Sequence, residues 1–429
     1  MMKRKLLFIG LLTGALLPAL AQAENLLEVY AQARAADPVL AAADATRGVQ
    51  QELAVQARAK LLPQWNASAA EYRLRPDDSH GHTLASNISQ TVFDLGQLRS
   101  LDVANTLVRS QDSALRAAEQ DLRARVASAY FGVLSAQASL TTAEANESAF
   151  AQQVEQAQSR FKSGLSASVD VEQARAYSEL ARNGTVQSRQ NLADAREALA
   201  EITGRTPGTL QPLVADLPAV PPQPAEPQAW VDRALAGNPA LDAQGLQVEA
   251  SGQAVAAARA AHLPTLSLGV DTTRNRGTGA FAPTDLRTNT QLGLTLNIPI
   301  FAGGATQSQV RQASLQRETQ REQLEGARRA LMREVRGQYQ AVLAGVAQMQ
   351  SGRAAVEAAD RAVQSTRAGQ ELGTRTMTDL LLGIQTQAQA QNAYEQARHR
   401  YVLATLLLQQ AAGSLGDAEL AAVNSLLKE

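Results

Sequence analysis

The chain has 429 residues, and its formal net charge of −1, from 40 Lys and Arg against 41 Asp and Glu, excludes a strongly basic nucleic-acid-binding protein. The sequence contains no cysteine, which excludes disulfides, thiolate metal sites and the lipid-modified cysteine of a lipoprotein. Apolar residues make up 45% of the chain but aromatic residues only 4%. This composition is typical of thin helix-on-helix packing and not of a rounded core.

The N-terminus has the pattern of a secretory signal peptide. Residues 3–5 (KRK) precede an apolar run of about 15 residues, and residues 21–23 (AQA) form a small-residue cleavage site. We expect cleavage after Ala23, which leaves 37 basic against 41 acidic residues, a net charge of −4. A membrane anchor is the alternative, but a spanning helix needs about 20 apolar residues. No later run reaches about 18 apolar residues, so we expect no transmembrane helix after the signal peptide.

The two halves of the chain repeat one plan. Residues 37–40 (DPVL) return as residues 238–241 (NPAL), and residues 164–170 (GLSASVD) return as residues 373–379 (GTRTMTD). A proline-rich segment between the halves is predicted to be an extended linker. The sequence therefore predicts a signal peptide at 1–23, a first repeat at 24–205, the linker at 206–227, and a second repeat with a C-terminal helix at 228–429.

Each half is predicted to contain the same elements in the same order. A helix of about 24 residues follows Asp37-Pro38 or Asn238-Pro239, because the acid or amide caps a helix and proline suits its first turn. Two strands come next. A very long helix follows, at about residues 97–162 in the first half and 305–371 in the second. A short break and a returning helix of about 35 residues complete each half.

The long helices carry apolar residues at intervals of seven, which predicts left-handed coiled coils. At about 1.5 Å per residue, such a helix reaches roughly 100 Å, which no compact domain requires. The heptad positions are Leu101, Val108, Leu115 and Leu122 in the first half, and Val335, Val342, Met349, Val356 and Val363 in the second.

Four segments alternate apolar and polar residues, which predicts strands with one apolar face. The clearest are residues 265–271 and 291–297, while the segment around Trp65 has little apolar area. Strands of about ten residues with one apolar face are typical of outer-membrane barrels, which need at least about eight strands. Because an open sheet edge cannot lie in lipid, several chains must share one barrel, and either two or three chains fit. The apolar face of the second strand is predicted at Leu84, Ile88 and Val92.

The barrel strands are predicted to lead directly into the long helices. Pro299 lacks a donor and ends the last strand, and the Gly303-Gly304 pair permits the change of direction. The loop at residues 274–285 is polar, Gly-rich and longer than its first-half counterpart. Outer-membrane barrels place long loops outside the cell, so we expect this loop to be extracellular.

In this doubled plan, the segments LNIPIFAGG, GLSASVD, GTRTMTDLL and YVLATLLLQQAAGSLG resemble those of the TolC-type outer-membrane channel family. The resemblance covers essentially the whole mature chain. It implies a homotrimer with a twelve-stranded barrel in the outer membrane and an α-barrel that extends into the periplasm. It also implies an exit duct for a periplasmic adaptor and an inner-membrane pump of ABC or RND type, in type I secretion or multidrug efflux.

The resemblance also places a gate at the periplasmic end, where the coiled-coil helices turn back. The gate arginine falls on Arg375, the first gate acid on Asp379, and the acid of the first-half copy, a candidate partner for Arg375, on Asp170. Two positions depart from the family pattern: Leu382 replaces a second acid, and Gln370 replaces a tyrosine. Arg375 and Asp379 are also spaced i, i+4, so an ordinary exposed helix pair is the alternative.

Other features indicate no catalytic or metal-binding function. His80-Gly81-His82 has the spacing of two metal ligands, but its Pro/Asp/Gly-rich context predicts an ordinary loop between strands. His262 and His399 are isolated, and no catalytic motif is evident, so we expect no enzyme, cofactor or resident metal. Two other interpretations stay open: a soluble periplasmic coiled-coil scaffold or adaptor without a pore, and a trimeric adhesin. Neither accounts for the four strands together with the internal repeat.

Overall fold

The structure, a computed structural model, describes residues 23–75, 78–282 and 288–428. The predicted signal peptide lies outside these residues, apart from Ala23. No helix within the described ranges is long and apolar enough to cross a membrane. The elements are α1 (Leu26–Ala36), α2 (Pro38–Ala59), β1 (Gln64–Leu74), β2 (Ser79–Phe93), α3 (Leu95–Lys162), α4 (Ser168–Thr203), α5 (Pro227–Gly237), α6 (Pro239–Ala260), β3 (Thr265–Gly277), β4 (Asn289–Asn297), α7 (Ala305–Glu371), α8 (Met377–Ala411) and α9 (Asp417–Asn424).

The four longest helices form two hairpins that start at the sheet. α3 begins directly after β2, where the Asp94 carboxylate accepts a 3.0 Å hydrogen bond from the Gln97 amide. α7 begins after Gly303 and Gly304, whose φ angles of 61° and 85° are rarely adopted by other residues. With 68 and 67 residues, α3 and α7 each extend about 100 Å away from the sheet.

The heptad positions of α7 face the returning helix α8, as predicted: Val335, Val342, Met349 and Val363 are buried, and Val356 is half-buried. The helices approach closely at Gly345, where an added Cβ would lie 3.1 Å from Cβ of Tyr401. In α3 the pattern is weaker, because Leu101, Val108 and Leu115 are only half-buried. Small polar residues pack there instead, and the Ser110 hydroxyl donates to the Ala243 carbonyl of α6 at 2.9 Å.

The main core forms a belt around the middle of the long helices. It joins the short helices α1, α5 and α9 to the central parts of α3 and α7 and to the C-terminal part of α8, with Leu26, Tyr130 and Trp230 among its fully buried residues. Helices α1 and α5 were not predicted from the sequence. The start of α1 has a recognisable signal, because Asn25 and Glu28 form a capping box through reciprocal bonds of 2.9 and 3.1 Å.

The proline-rich segment at 206–226 is packed into this belt. Leu210, Leu213 and Leu217 are buried in the main core. The Tyr130 hydroxyl lies 2.9 Å from the carbonyl oxygen of Gln211, which ties the segment to α3. The segment therefore stabilises the belt instead of spanning a gap between separate bodies.

The four strands form one antiparallel sheet in the order β1-β2-β3-β4. Trp65, Ile88, Val270 and Leu292 occupy one row across the sheet. Because side chains alternate along a strand, this apolar face continues on β3 and β4 through Leu266, Leu268, Leu294 and Leu296. The opposite face is polar and includes Asn66, Asn87, Asp271 and Gln291.

Three strand predictions need correction, because cross-strand pairing extends beyond what local composition indicates. Residues 274–277 do not belong to a loop: they continue β3 and pair with β2 as far as Gly81↔Gly277. His80-Gly81-His82 lies in β2 and not in a loop. A register shift between Thr91 and Phe93 places Phe93 opposite Leu266, so Val92 has no directly paired residue.

Part of the connection between β3 and β4 folds back over the polar face. Residues 279–281 form one 3₁₀ turn, and the Phe281 ring stacks on Tyr72 with 5.9 Å between ring centres. Gly81 allows this contact, because an added Cβ there would lie 2.9 Å from the Phe281 side chain. Tyr72 and Gly81 alternate with the apolar residues of their strands, so Phe281 lies on the polar side of the sheet.

Candidate functional site: the helical tips

Each long hairpin turns back at the end remote from the sheet, and both turns have the same construction. Gly164 and Gly373 follow the long helices with φ angles of 70° and 74°. At the first tip, the Leu165 amide donates to the Arg160 carbonyl at 2.8 Å. At the second tip, the Thr374 amide donates to the Gly369 carbonyl at 2.8 Å. These left-handed caps satisfy the last carbonyls of the long helices and reverse the chain within a few residues.

A small second core joins the two tips. Its centre is fully buried at Leu380 and Leu381 of α8, which pack with Phe150 of α3 and Val171 of α4. Next to it, the Thr378 hydroxyl donates to the Gln173 side-chain oxygen at 2.8 Å. The starts of α4 and α8 are therefore held side by side, and both carry one of the predicted gate acids.

Asp379 occupies the third position of α8 and forms a capping box with Thr376. The Asp379 amide donates to the Thr376 hydroxyl at 3.1 Å, and the Thr376 amide donates to the Asp379 carboxylate at 3.0 Å. The hydrogen bonds from Thr376, with a smaller contribution from the charge of Arg375, hold the pKa of Asp379 below its usual range. Asp379 therefore has a structural role: it stabilises the first turn of α8.

Arg375 and Asp170 lie on different hairpins. Arg375 is exposed in the turn before α8, and its amide donates to the Gly369 carbonyl at 3.2 Å. Asp170 is half-exposed at the third position of α4. Among the residues that the structure describes, no ion pair within 4.0 Å joins Arg375 to Asp170 in one chain. The predicted pairing with a neighbouring hairpin of another chain stays a prediction.

The two positions that depart from the family pattern differ in burial. Leu382 is 48% exposed and lies one helical turn after Asp379. Gln370 is buried, and its amide nitrogen lies 3.6 Å from the Met377 sulfur, so it faces the tip core. Of the five predicted site residues, Asp379, Leu382 and Arg375 lie at the surface of the second tip and Gln370 lies beneath it. The fifth, Asp170, lies on the first tip.

The residues that position this tip, chiefly Thr376 and Thr378, were not predicted from the sequence. A signal for Thr376 was present, since Thr376-Met377-Thr378-Asp379 has the T-x-x-D spacing of a capping box. No comparable signal marks the pairing of Thr378 with Gln173, because their separation of 205 residues leaves it visible only in the fold.

Comparison with known proteins identifies relatives of the whole chain. The family described as Outer membrane efflux protein matches residues 29–205 and 230–415. The chain is 33% identical to Outer membrane protein TolC of Vibrio cholerae over 430 residues, 98% of each chain. It is 28% identical to Alkaline protease secretion protein AprF of Pseudomonas aeruginosa, over 81% of this chain and 72% of that one. The solved Campylobacter jejuni CmeC outer membrane channel shares the fold, with a TM-score of 0.81, 16% identity, and 94% and 90% of the two chains covered.

These similarities confirm the predicted fold class: long helices combined with four strands per chain in a barrel shared by three chains. They also confirm a location in the outer membrane, with the helices in the periplasm. A channel is supported over the scaffold without a pore. The chain therefore belongs to the outer membrane efflux protein family and forms an outer-membrane channel of the TolC type.

Proposed function

We propose that this channel is the exit duct of a tripartite export system, and that a periplasmic adaptor and an inner-membrane pump of ABC or RND type open it at the helical tips. The family membership supports the duct. Opening by an adaptor and a pump is inferred from one observation: apolar side chains are exposed at both tips, about 100 Å from the barrel. Leu165 is 70% exposed, Val169 61% and Leu372 80%.

Exposed apolar side chains grouped at the ends of both hairpins favour a docking role. A soluble surface rarely concentrates such residues unless a partner covers them. The tips lie in the periplasm, where an adaptor reaches the channel. We expect Leu165→Asn together with Leu372→Asn to reduce export in cells while the amount of trimer in the outer membrane stays unchanged.

The proposed gate is centred on Asp379. Three copies around one axis would form a ring of carboxylates, and Leu382, three residues later on the same helix face, would form an apolar ring. The carboxylate ring attracts cations, and the leucines resist wetting of the pore. Arg375 would hold the closed state by pairing with Asp170 on a neighbouring hairpin.

Planar-bilayer recordings test this gate. Arg375→Ser is expected to raise resting conductance, and Asp379→Asn to lower cation preference. Asn can still accept the hydrogen bond from the Thr376 amide, so this variant removes the charge and keeps the cap. Glu197→Gln, an exposed acid on α4 far from the tip, is the matched control. If Arg375→Ser and Asp379→Asn behave like Glu197→Gln, these charges are ordinary surface groups and the gate assignment is wrong.

Two classes of cargo fit the relatives of this chain. The family description names efflux, and the name of the Pseudomonas aeruginosa relative names protease secretion. We therefore propose passage of proteins by type I secretion, of small toxic compounds by efflux, or of both. Expression in one strain whose own channel is deleted separates them: secretion of an ABC-exported protease reports the first, and growth on a substrate of an RND pump reports the second.

A further inference from the structure

We propose that a groove on the outward face of the barrel, near its extracellular end, binds the phosphorylated headgroup of an outer-leaflet lipid. Glu71, His82, Leu84, Arg274 and Arg276 line this groove, which has a volume of about 490 Å³. It lies within one chain, across the edge strand β1 and its neighbours β2 and β3, and every lining residue belongs to that chain. It is also remote from the helical tips, so it is independent of the proposed gate.

The strand register brings the charged side chains of this groove together. Glu71, His82 and Arg276 are directly opposite one another across the three strands. Arg274 is in the next row of the same face, opposite Leu84. Two guanidinium groups therefore stand one above the other on one strand, beside an apolar side chain.

This face points out of the barrel. Along β3 it continues from Arg276 and Arg274 through Thr272 and Val270 to Leu268, and the paired residues on β4 are Thr290, Leu292 and Leu294. The opposite face carries polar residues, among them Asn87, whose amide donates to Asp271 at 2.5 Å. In a membrane barrel the apolar face contacts lipid and the polar face lines the water-filled lumen. The groove is therefore reached from the lipid.

The height of the two arginines matches the outer edge of the membrane. β3 leaves the helical, periplasmic end at Thr265, and Arg276 lies ten residues beyond Leu266. At about 3.4 Å per residue this distance is about 34 Å along the strand, and a tilt of about 40° reduces it to about 26 Å. The apolar band of outer-membrane barrels is about 25 Å tall. Arg274 and Arg276 thus lie where acyl chains end and headgroups begin.

Phosphate is the headgroup chemistry that fits this lining. Guanidinium groups bind phosphate oxygens through two parallel hydrogen bonds, and they keep their charge at all physiological pH values. Leu84 offers contact to the first methylene groups of the acyl chains. Glu71 opposes binding by cancelling one positive charge, so its removal is expected to strengthen the site. Arg73 lies one row further out, where its guanidinium pairs with Asp78 at 3.3 Å, so the free positive charge of this face is that of Arg274 and Arg276.

The experiment measures lipid retained by the purified trimer in phosphatidylcholine nanodiscs that contain bisphosphorylated lipid A, with native mass spectrometry as the readout. We expect Arg274→Gln/Arg276→Gln to lower retention of lipid A at least tenfold and Glu71→Gln to raise it. Arg311→Gln/Arg317→Gln, which removes two exposed arginines from α7, is the control for loss of charge. All variants are compared as intact trimers.

Two comparisons decide the source of the binding. Dephosphorylated lipid A should be retained no better than phosphatidylcholine, and inorganic phosphate at millimolar concentration should not displace bound lipid A. Equal retention of both forms of lipid A, or unchanged retention by the Arg274→Gln/Arg276→Gln variant, would overturn the proposal. Displacement by inorganic phosphate alone would also overturn it, because the groove would then be a simple anion site.

Discussion

His399 should make the stability of the belt depend on pH. Its side chain is buried on α8 with its ring centre 6.2 Å from that of Phe131, and Arg398 is its neighbour in sequence. Burial, with a smaller contribution from the positive charge of Arg398, lowers the pKa of His399 from 6.5 to about 4. The folded chain therefore favours the neutral imidazole.

The sign and size of the effect follow from linkage. Well above pH 6.5 the histidine is neutral in both the folded and the unfolded chain, so its protonation does not change the free energy of unfolding. As the pH falls toward 4, the unfolded chain binds a proton that the folded chain resists, and stability is lost. At about 1.4 kcal/mol per pKa unit, the full loss is about 3 kcal/mol per chain, of which about 2 kcal/mol should be lost by pH 5.

Denaturant unfolding of the trimer at pH 7 and pH 5, at one fixed protein concentration, measures this loss. The His399→Gln variant has no titrating group at this position. The carboxylates of the chain titrate alike in the two proteins, so their effect cancels in the comparison. The wild-type protein should lose about 2 kcal/mol more per chain than the variant between the two pH values. Equal losses in the two proteins would refute the reasoning, since the imidazole would then be as easily protonated in the folded chain as in the unfolded one.

Two further predictions concern the same free energy of unfolding. Arg125→Met removes the bonds of 3.0 and 2.8 Å to Asp37, whose carboxylate is 2% exposed, and it should cost about 3 kcal/mol because a buried charge loses its partner. Gly345→Ala should destabilise the chain, because the new methyl group meets Tyr401 at 3.1 Å. Gly326→Ala on the same helix meets nothing within 4 Å and should instead stabilise it by up to about 1 kcal/mol. Unfolding of the variants at pH 7 checks both, and a gain at Gly345 would contradict the close approach of α7 and α8.

The long helices and their ends could be predicted from the sequence because local chemistry determines them. Glycines at 304 and 373 bracket the 67-residue helix α7, and its apolar residues recur every seven positions from Val335 to Val363. The end of β3 could not be predicted in this way. Residues 274–277 (RNRG) have turn-forming composition, but pairing with β2 keeps them in the sheet, and such pairing joins residues nearly 200 positions apart.

The candidate site was predictable only in part, because some of its contacts join residues that are distant in sequence. The acid and the arginine of the second tip stand in one short segment, so the repeat placed them together. The contact between Thr378 and Gln173 depends on two hairpins packing side by side, which no local pattern reveals. A ring of Asp379 carboxylates depends on three chains. The capping role of Asp379, in contrast, was readable from the spacing to Thr376.

The two tips share one plan but differ in how their acids are held, and this difference bears on the proposed gate. Asp379 is fixed to its own helix by reciprocal bonds with Thr376. Asp170 has the same position in α4, but Ala167 precedes it at the cap, where no side chain can form such a bond. Because the Asp170 carboxylate does not hold a cap, it can turn toward a neighbouring hairpin at little cost to α4. An opening movement that separates Arg375 from Asp170 would therefore leave both helix starts intact, so the tips could part as rigid hairpins.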